Sequence, residues 1–168
     1  VNCDDDANKG LCDREGVSGF PTIKLYLAGG RGVEEYEGSH SVKAFHNFAL
    51  EHLPSEVVNL RTIPHLNDFK EACNKVSSSC GAVLLTDKYE TSPLYKALST
   101  QFGSALAFGE ARASNKKIAE ELGVASEGFP TLVIVCGERV TVYEGELKSE
   151  PLEVFLNQYD KNKKKKKK

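Results

Sequence analysis

The chain of 168 residues carries a net charge of −2, and its 40% apolar and 27% charged residues are typical of a globular protein. It contains no run of about 18 apolar residues, so the sequence predicts no membrane span. All 24 acidic residues but only 15 of the 22 basic ones lie in residues 1–160, and this acidic body argues against nucleic-acid binding by the folded part.

The two ends of the chain are unusual. The sequence contains no methionine and opens without the basic and apolar segments of a signal peptide, so we expect that a natural start has been removed or was not captured. Residues 160–168 are rich in lysine and are predicted to form a disordered tail. A run of Lys and Asn is also what translated poly-adenine gives, whereas a nuclear-localisation or anion-binding patch is the functional alternative.

Residues 1–54 predict two helices and a hairpin. The first segment is polar with Leu11 and Cys12 inward, and Gly16 follows it, as glycine commonly ends a helix. Apolar and polar residues alternate after Pro21, which predicts a strand, and a second strand follows a glycine-rich turn. The predicted elements are a helix over 8–15, strands over 22–27 and 33–37 joined by a turn over 28–30, and a helix over 41–52 that ends before Pro54.

Residues 57–159 predict five strands and four helices in the order β-α-β-α-β-α-β-β-α. The predicted strands are 57–60, 82–85, 105–108, 131–135 and 139–143, and the predicted helices are 66–76, 94–102, 115–122 and 151–159. Alternating βαβ units followed by an antiparallel hairpin and a last helix give a mixed central sheet that is flanked by helices on both faces. The predicted fold class is therefore α/β.

The last part of this pattern repeats the beginning of the chain. Asn-Lys at 8–9 recurs at 115–116, Gly-Val at 16–17 recurs at 123–124, Gly-Phe-Pro-Thr at 19–22 recurs at 128–131, and Tyr-Glu-Gly at 36–38 recurs at 143–145. The offsets of 107 and 109 residues are the length of a domain rather than of a solenoid unit. Because the second copy begins near Val57, we expect about 50 residues of the first copy to lie before Val1.

These motifs resemble the second half of an active domain in the protein disulfide-isomerase family of the thioredoxin superfamily. Gly-Val and Gly-Phe-Pro-Thr stand before a strand in both copies, and Val-Asn-Cys-Asp and Leu-Cys precede them in the first. The resemblance covers residues 1–159 and implies a thioredoxin-like fold whose first copy is truncated at its N-terminus. It implies the C-terminal half of a thioredoxin-like domain at 1–54, a complete one at 57–159 and the tail at 160–168.

The resemblance also implies a mechanism. Active members use a Cys-x-x-Cys at the start of the second helix, where the helix end lowers the pKa of a thiol that attacks substrate disulfides as the thiolate. A cis-proline in the facing loop helps to hold the substrate chain. Pro21 and Pro130, preceded by Phe20 and Phe129, match this loop, although most X-Pro bonds are trans and an ordinary trans-proline that opens a strand is the alternative.

The catalytic dithiol itself is absent from this sequence. In the first copy it would precede Val1, and in the second copy the segment 86–93 reads Thr-Asp-Lys-Tyr-Glu-Thr-Ser-Pro, with no cysteine between Cys80 and Cys136. We therefore predict that the second copy is a redox-inactive b-type domain and that no residue of this chain is catalytic. Active members often carry a proton-handling arginine where this chain has His40, which either substitutes for it or is a solvated histidine that flanks a helix.

Five cysteines suggest two disulfides and one remaining thiol. We predict structural disulfides from Cys3 to Cys12 and from Cys73 to Cys80, which are close in sequence, and we expect Cys136 to be a buried thiol. The Cys-x8-Cys and Cys-x6-Cys spacings do not match zinc ligand pairs, so neither a metal site nor a cofactor is predicted. Structural disulfides indicate an oxidising compartment, and free buried thiols are the alternative.

The resemblance implies a fragment of an oxidoreductase that forms or rearranges disulfides in secretory proteins in the endoplasmic reticulum lumen. Its predicted partners are unfolded or disulfide-containing client polypeptides, and neither nucleic acid nor a membrane is expected to bind the folded part. An alternative from another class is a redox-inactive module that binds unfolded polypeptide as a chaperone or scaffold. Binding of nucleic acid or a membrane surface through the lysine tail is a third hypothesis.

Overall fold

A computed structural model of the chain describes residues 1–27, 32–124 and 128–160. The chain forms two compact units, Val1–His52 and Leu53–Lys168. The predicted turn over 28–30, the tail from 161 and residues 125–127 of the second repeat lie outside the described residues. Among the described residues, no helix has the length and apolar character needed to cross a membrane.

The first unit consists of a helix, an antiparallel hairpin and a second helix. These elements are α1 (Asp6–Arg14), β1 (Lys24–Tyr26), β2 (Val33–Glu35) and α2 (Val42–Glu51). Asp5 and Ser41 cap the two helices, because their side chains accept hydrogen bonds from the backbone N–H groups of Ala7 at 3.0 Å and Ala44 at 3.2 Å. The element order is the predicted one, with shorter strands.

The second unit has the predicted element order around a five-stranded sheet. Its elements are β3 (Val57–Leu60), α3 (Ile63–Cys73), β4 (Cys80–Thr86), α4 (Pro93–Phe102), β5 (Leu106–Arg112), α5 (Lys116–Glu121), β6 (Thr131–Cys136), β7 (Arg139–Val142) and α6 (Ser149–Leu156). The strand order across the sheet is β3-β5-β4-β6-β7. The pairs that β5 makes with β3 and β4 are parallel, whereas β6 pairs antiparallel with β4 and β7. This mixed sheet confirms the predicted fold class.

The two faces of the sheet bury separate hydrophobic clusters, because successive side chains of a strand point to opposite faces. Val83 and Leu85 of β4 belong to the cluster that includes Phe69 of α3 and Ile118 of α5. Leu84 belongs to the other cluster, which includes side chains of α4 and α6. Every residue of β4 is buried, as expected for a central strand of continuous apolar sequence.

The end of β5 differs from the prediction, and the difference places a charged residue inside the sheet. β5 runs to Arg112, four residues beyond the predicted end at Phe108. Gly109 and Glu110 have low strand propensity, but parallel pairing with β3 on one side and β4 on the other holds them in the sheet. Glu110 is therefore only 3% exposed, although the sequence prediction left it beyond the strand.

The disulfides confirm one predicted pair and correct the other. Cys3 is joined to Cys12, as predicted. Cys80 is joined to Cys136, and Cys73 is a free and buried thiol. The predicted pair of Cys73 with Cys80 was therefore wrong, and so was the predicted free thiol at Cys136.

Sheet geometry gives the physical reason for this correction. Cys80 begins β4 and Cys136 ends β6, so they face one another at the end of this antiparallel pair, with Cα atoms 4.3 Å apart. Cys73 belongs to the cluster on the α3 face, whereas Cys80 belongs to the cluster on the opposite face. Closeness in sequence could not reveal this separation, because it ignores the side of the sheet to which a residue points.

Candidate functional site

A cis-proline loop precedes a strand in each unit. The Phe20–Pro21 and Phe129–Pro130 peptide bonds are both cis, at the two positions where the sequence predicted that isomer. Phe20 is 70% exposed, whereas Phe129 packs against the hydrophobic cluster on the α3 face. The two loops thus share the isomer and differ in the apolar surface that they present.

The threonine after each proline makes the same hydrogen bond. Thr22 Oγ1 donates to the carbonyl oxygen of Gly19 at 2.6 Å, and Thr131 Oγ1 donates to that of Gly128 at 3.0 Å. The repeated sequence Gly-Phe-Pro-Thr therefore builds one local structure twice.

His40 lies on the surface of the first unit, just before α2. Its ring stacks on that of Phe45 with centroids 6.0 Å apart, and its centroid lies 6.5 Å from that of Tyr36. Exposure and aromatic contacts fit a solvated histidine that flanks a helix, which was one of the two predicted alternatives. A proton-handling role for His40 stays a prediction.

The start of α4 is the position at which an active domain of the family that the sequence resembles would carry its dithiol. In this chain Ser92 caps the helix, because its Oγ accepts a hydrogen bond from the backbone N–H of Tyr95 at 3.3 Å. Pro93 occupies the first helical turn, where its missing N–H leaves no hydrogen bond unmade. This helix start therefore presents hydroxyl groups and no thiol.

A cavity of about 100 Å³ lies beside this helix start. Leucine is its most frequent lining residue, and the leucines include Leu84 of β4, Leu98 of α4, Leu132 of β6 and Leu152 of α6. Pro130 of the second cis-proline loop also lines it. One water needs roughly 10–15 Å³ by this measure, so the cavity has room for several waters or one long side chain.

Glu110 of β5 places a buried carboxyl group in this cavity. Its Oε2 atom has no hydrogen-bond partner among the described residues. Burial raises the pKa of Glu110, and a hydrogen bond from Thr91 and the positive charge of Arg112 partly oppose this rise. A buried acceptor without a partner is unfavourable for folding, so Glu110 is a candidate group for binding a ligand.

Arg112 is held at the end of β5 by Tyr89. One of its Nη atoms donates a hydrogen bond to the backbone carbonyl of Tyr89, and its guanidinium carbon lies 5.1 Å from the centre of the Tyr89 ring. Nη1 of Arg112 is buried without a hydrogen-bond partner among the described residues. The guanidinium thus supplies positive charge near Glu110 while Tyr89 fixes its position.

Tyr95 forms part of the cavity wall and directs its hydroxyl to the backbone. The hydroxyl oxygen lies 3.0 Å from the carbonyl oxygen of Ala82 and 2.9 Å from that of Gly109. Burial, with the nearby charge of Glu110, raises the pKa of Tyr95 well above its usual range. The phenol therefore stays protonated, and its hydroxyl donates a hydrogen bond to a backbone carbonyl rather than to Glu110.

Sequence reasoning did not identify Glu110 as a site residue. The available signal was its spacing from Phe108, because residues two apart on a strand share a face and Phe108 lies in the core. The strand prediction ended at Phe108, so this relation was not used.

Several known proteins are similar to this chain. A Dictyostelium discoideum protein that is provisionally named a protein disulfide-isomerase is 34% identical over 169 residues, which cover 96% of this chain and 39% of that protein. A protein disulfide-isomerase of Arthroderma benhamiae is 28% identical over 162 residues, which cover 93% of this chain and 28% of that protein. The chain thus spans about two fifths or less of the length of these relatives. No protein-family model matches the chain.

Solved structures share the fold. A crystal structure of ERdj5 matches with a TM-score of 0.63 and 20% identity, over 93% of this chain and 22% of that one. The thioredoxin NaTrxh of Nicotiana alata matches with a TM-score of 0.52 and 16% identity, over 73% of this chain and 98% of that one. Sheet order, cis-proline loops and these matches define a thioredoxin-fold protein. Over more than nine tenths of its length the chain is also similar in sequence to named protein disulfide-isomerases.

Proposed function

We propose that this chain is part of an oxidoreductase that forms or rearranges disulfides in client polypeptides in the endoplasmic reticulum lumen. The observation that carries the proposal is the repeated cis-proline loop, at 19–22 and 128–131, in a chain similar to protein disulfide-isomerases. Members of this family use that loop to hold a substrate chain against the dithiol. Two disulfides also favour an oxidising compartment.

The proposal assigns different tasks to different parts of the chain. Residues 1–54 contribute the cis-proline half of an active domain, and the partner Cys-x-x-Cys belongs to about 50 residues encoded before Val1. Residues 57–159 form a redox-inactive domain that binds client polypeptide.

Upstream coding sequence provides the first test of the oxidoreductase. Reading the 5′ end of the transcript should reveal about 50 further codons that include a Cys-x-x-Cys. The longer protein should then reduce insulin disulfides with glutathione as electron donor, and the 168-residue chain should not. A complete transcript without that motif would overturn this function.

The exposed phenylalanine of the first loop provides a second test in the longer protein. Phe20→Ala should raise the KM for a disulfide-bonded client several-fold, because it removes apolar surface beside the cis bond. Val33→Ala is the matched control, since Val33 is an exposed apolar residue on β2 of the same unit. An equal effect of both substitutions would show that the loop has no special part in client binding.

The second unit favours a second function, the binding of unfolded polypeptide without thiol chemistry. The specific observation is the leucine-lined cavity with the open acceptor of Glu110. A reduced, alkylated and fluorescently labelled protein should bind the 168-residue chain saturably, with the thiol content of the chain unchanged. A flat titration would contradict this function.

A further inference from the structure

The cavity beside α4 combines two unlike parts. One is an apolar wall of leucine side chains, and the other is the carboxyl group of Glu110, which is 3% exposed and has no partner at Oε2 among the described residues. Lys88 and Glu90 also line the cavity and are exposed, so a side chain of another polypeptide can reach the cavity from solvent. An occupant that satisfies both parts needs an apolar stem and a terminal hydrogen-bond donor.

A lysine side chain has this form. Its four methylene groups can cover leucine surface, and its ammonium group carries three donors and no acceptor. Hydrogen bonds between an ammonium group and a carboxylate are about twice as strong as neutral ones. Residues 53–160 also hold 15 acidic and 10 basic residues, and this excess of negative charge favours cationic segments.

Other occupants satisfy the cavity less well. A leucine or norleucine side chain covers the apolar wall and leaves Oε2 of Glu110 without a hydrogen-bond donor, which is unfavourable for a buried polar group. An anionic group would be repelled by the negative charge of the carboxylate. A divalent cation needs several oxygen ligands, and Glu110 is the one buried carboxylate of the cavity among the described residues.

Two neighbours of Glu110 partly oppose the burial that raises its pKa, and Oε2 stays without a hydrogen-bond partner among the described residues. Thr91 donates a hydrogen bond to the carboxyl group, and Arg112 supplies positive charge. Arg112 is itself bound to the carbonyl and ring of Tyr89, and the hydroxyl of Tyr95 is bound to the backbone. Among the described residues, Oε2 of Glu110 thus has no hydrogen-bond partner.

We propose that this cavity is a recognition pocket for a lysine side chain of an extended client polypeptide, whose ammonium group donates a hydrogen bond to Oε2 of Glu110. This inference rests on the client-binding function proposed above and narrows it to segments that contain lysine. The pocket acts through binding alone, so it requires no thiol.

Matched peptides test the pocket on the 168-residue chain. Three fluorescent peptides of extended sequence carry lysine, norleucine or acetyl-lysine at the central position and are otherwise identical. Norleucine keeps the stem and lacks the ammonium group, and acetyl-lysine keeps one N–H and lacks the charge. The lysine peptide should bind at least about tenfold more tightly than the other two, as expected for a charge-assisted bond.

A substitution links this preference to the carboxylate. Glu110→Gln should remove most of the preference for lysine and leave the affinity for the norleucine peptide unchanged. Glu144→Gln makes the same change of charge at an exposed position outside the cavity and should keep the preference. Far-ultraviolet circular dichroism and melting check that both variants fold.

The outcomes separate the pocket from the wider function. Equal binding of the three peptides, or a lysine preference that survives Glu110→Gln, overturns the lysine pocket while client binding stands. Failure of all three peptides to bind overturns client binding and the pocket with it. Because the peptide series uses the unmodified chain, the result does not depend on the folding of a variant.

Discussion

The two repeat copies place the same four elements in different surroundings. The order α1-β1-β2-α2 of the first unit recurs as α5-β6-β7-α6 in the second. β6 pairs with both β4 and β7, whereas β1 pairs with β2 among the described residues. Tyr26 of β1 is consequently 59% exposed, while Val135, its counterpart in β6, is 1% exposed. The motif thus determines the local structure, whereas the burial of its residues depends on which strands pair with it.

The first helix of each copy ends in the same way, and the ending depends on a short stretch of sequence. Gly16 and Gly123 adopt φ angles of +66° and +65°, a left-handed conformation that is unfavourable for other residues. After each glycine, the N–H of a valine donates a 2.9 Å hydrogen bond back into the helix, from Val17 in the first copy and Val124 in the second. The sequence Gly-Val therefore ends both helices in the same way, regardless of the adjacent sheet.

The largest expected difference between the units concerns their disulfides. Replacing Cys80 and Cys136 by alanine should lower the free energy of unfolding by about 4 kcal/mol, because this bond closes a separation of 56 residues. The Cys3 and Cys12 pair spans 9 residues, so the same replacement there should cost about 2.5 kcal/mol. Urea denaturation of the two double variants measures both losses, and a larger loss in the first unit would reverse the comparison.

Thiol counting checks the connectivity on which that difference depends. Alkylation of the unfolded, unreduced chain should modify one thiol, at Cys73, as shown by mass spectrometry of its peptides. The folded chain should react far more slowly at pH 8, because burial raises the pKa of Cys73 to about 11 and leaves little thiolate. Modification of Cys136 in the unreduced chain would contradict the pairing.

A matched pair of core substitutions tests the burial itself. Ile134 of β6 is 1% exposed, and its counterpart Leu25 in β1 is half-buried. Ile134→Ala should lower the free energy of unfolding by about 3 kcal/mol, because a close-packed core cannot fill the space that is left. Leu25→Ala should cost less than about 1 kcal/mol. Equal losses in urea denaturation would show that the two strands are equally well packed.

The sequence predicted those parts of the molecule that depend on local pattern. Element order and fold class follow from periodicity, and both cis bonds follow from the resemblance of the repeated motif to the protein disulfide-isomerase family. The short disulfide from Cys3 to Cys12 lies within one local segment. The sequence did not predict the bond from Cys80 to Cys136 or the burial of Glu110. Both depend on which strands become neighbours, and that is set by packing over many residues rather than by any short segment.

The buried carboxyl group of the second unit should give its stability a particular pH dependence. Because the pKa of Glu110 is raised in the folded state, the folded chain retains this proton at a pH where the unfolded chain has released it. Stability should therefore fall as pH rises from the ordinary carboxyl pKa through the raised one. Glu110→Gln should remove this decline, so its stability relative to the wild type should improve with rising pH. Urea denaturation at several pH values measures the slope, and an unchanged slope would contradict the assignment.

A further small effect should be equal in both copies. The hydroxyl of Tyr36 donates to the carbonyl oxygen of Ser39 at 2.6 Å, and that of Tyr143 donates to Glu146 at 3.1 Å. Tyr→Phe at either position keeps the ring and removes one hydrogen bond, so each should cost about 1 kcal/mol. Per-residue hydrogen exchange near each substitution measures the two losses separately.

The meaning of that equality comes from its contrast with the core substitutions. Each tyrosine bonds to a carbonyl three residues further along its own chain, a contact that needs no second strand. Equal small losses would therefore show that the Tyr-Glu-Gly motif stabilises its turn independently of the sheet. A large loss at Tyr143 with none at Tyr36 would instead mean that the five-stranded sheet holds the second turn in place, and that the motif alone does not encode it.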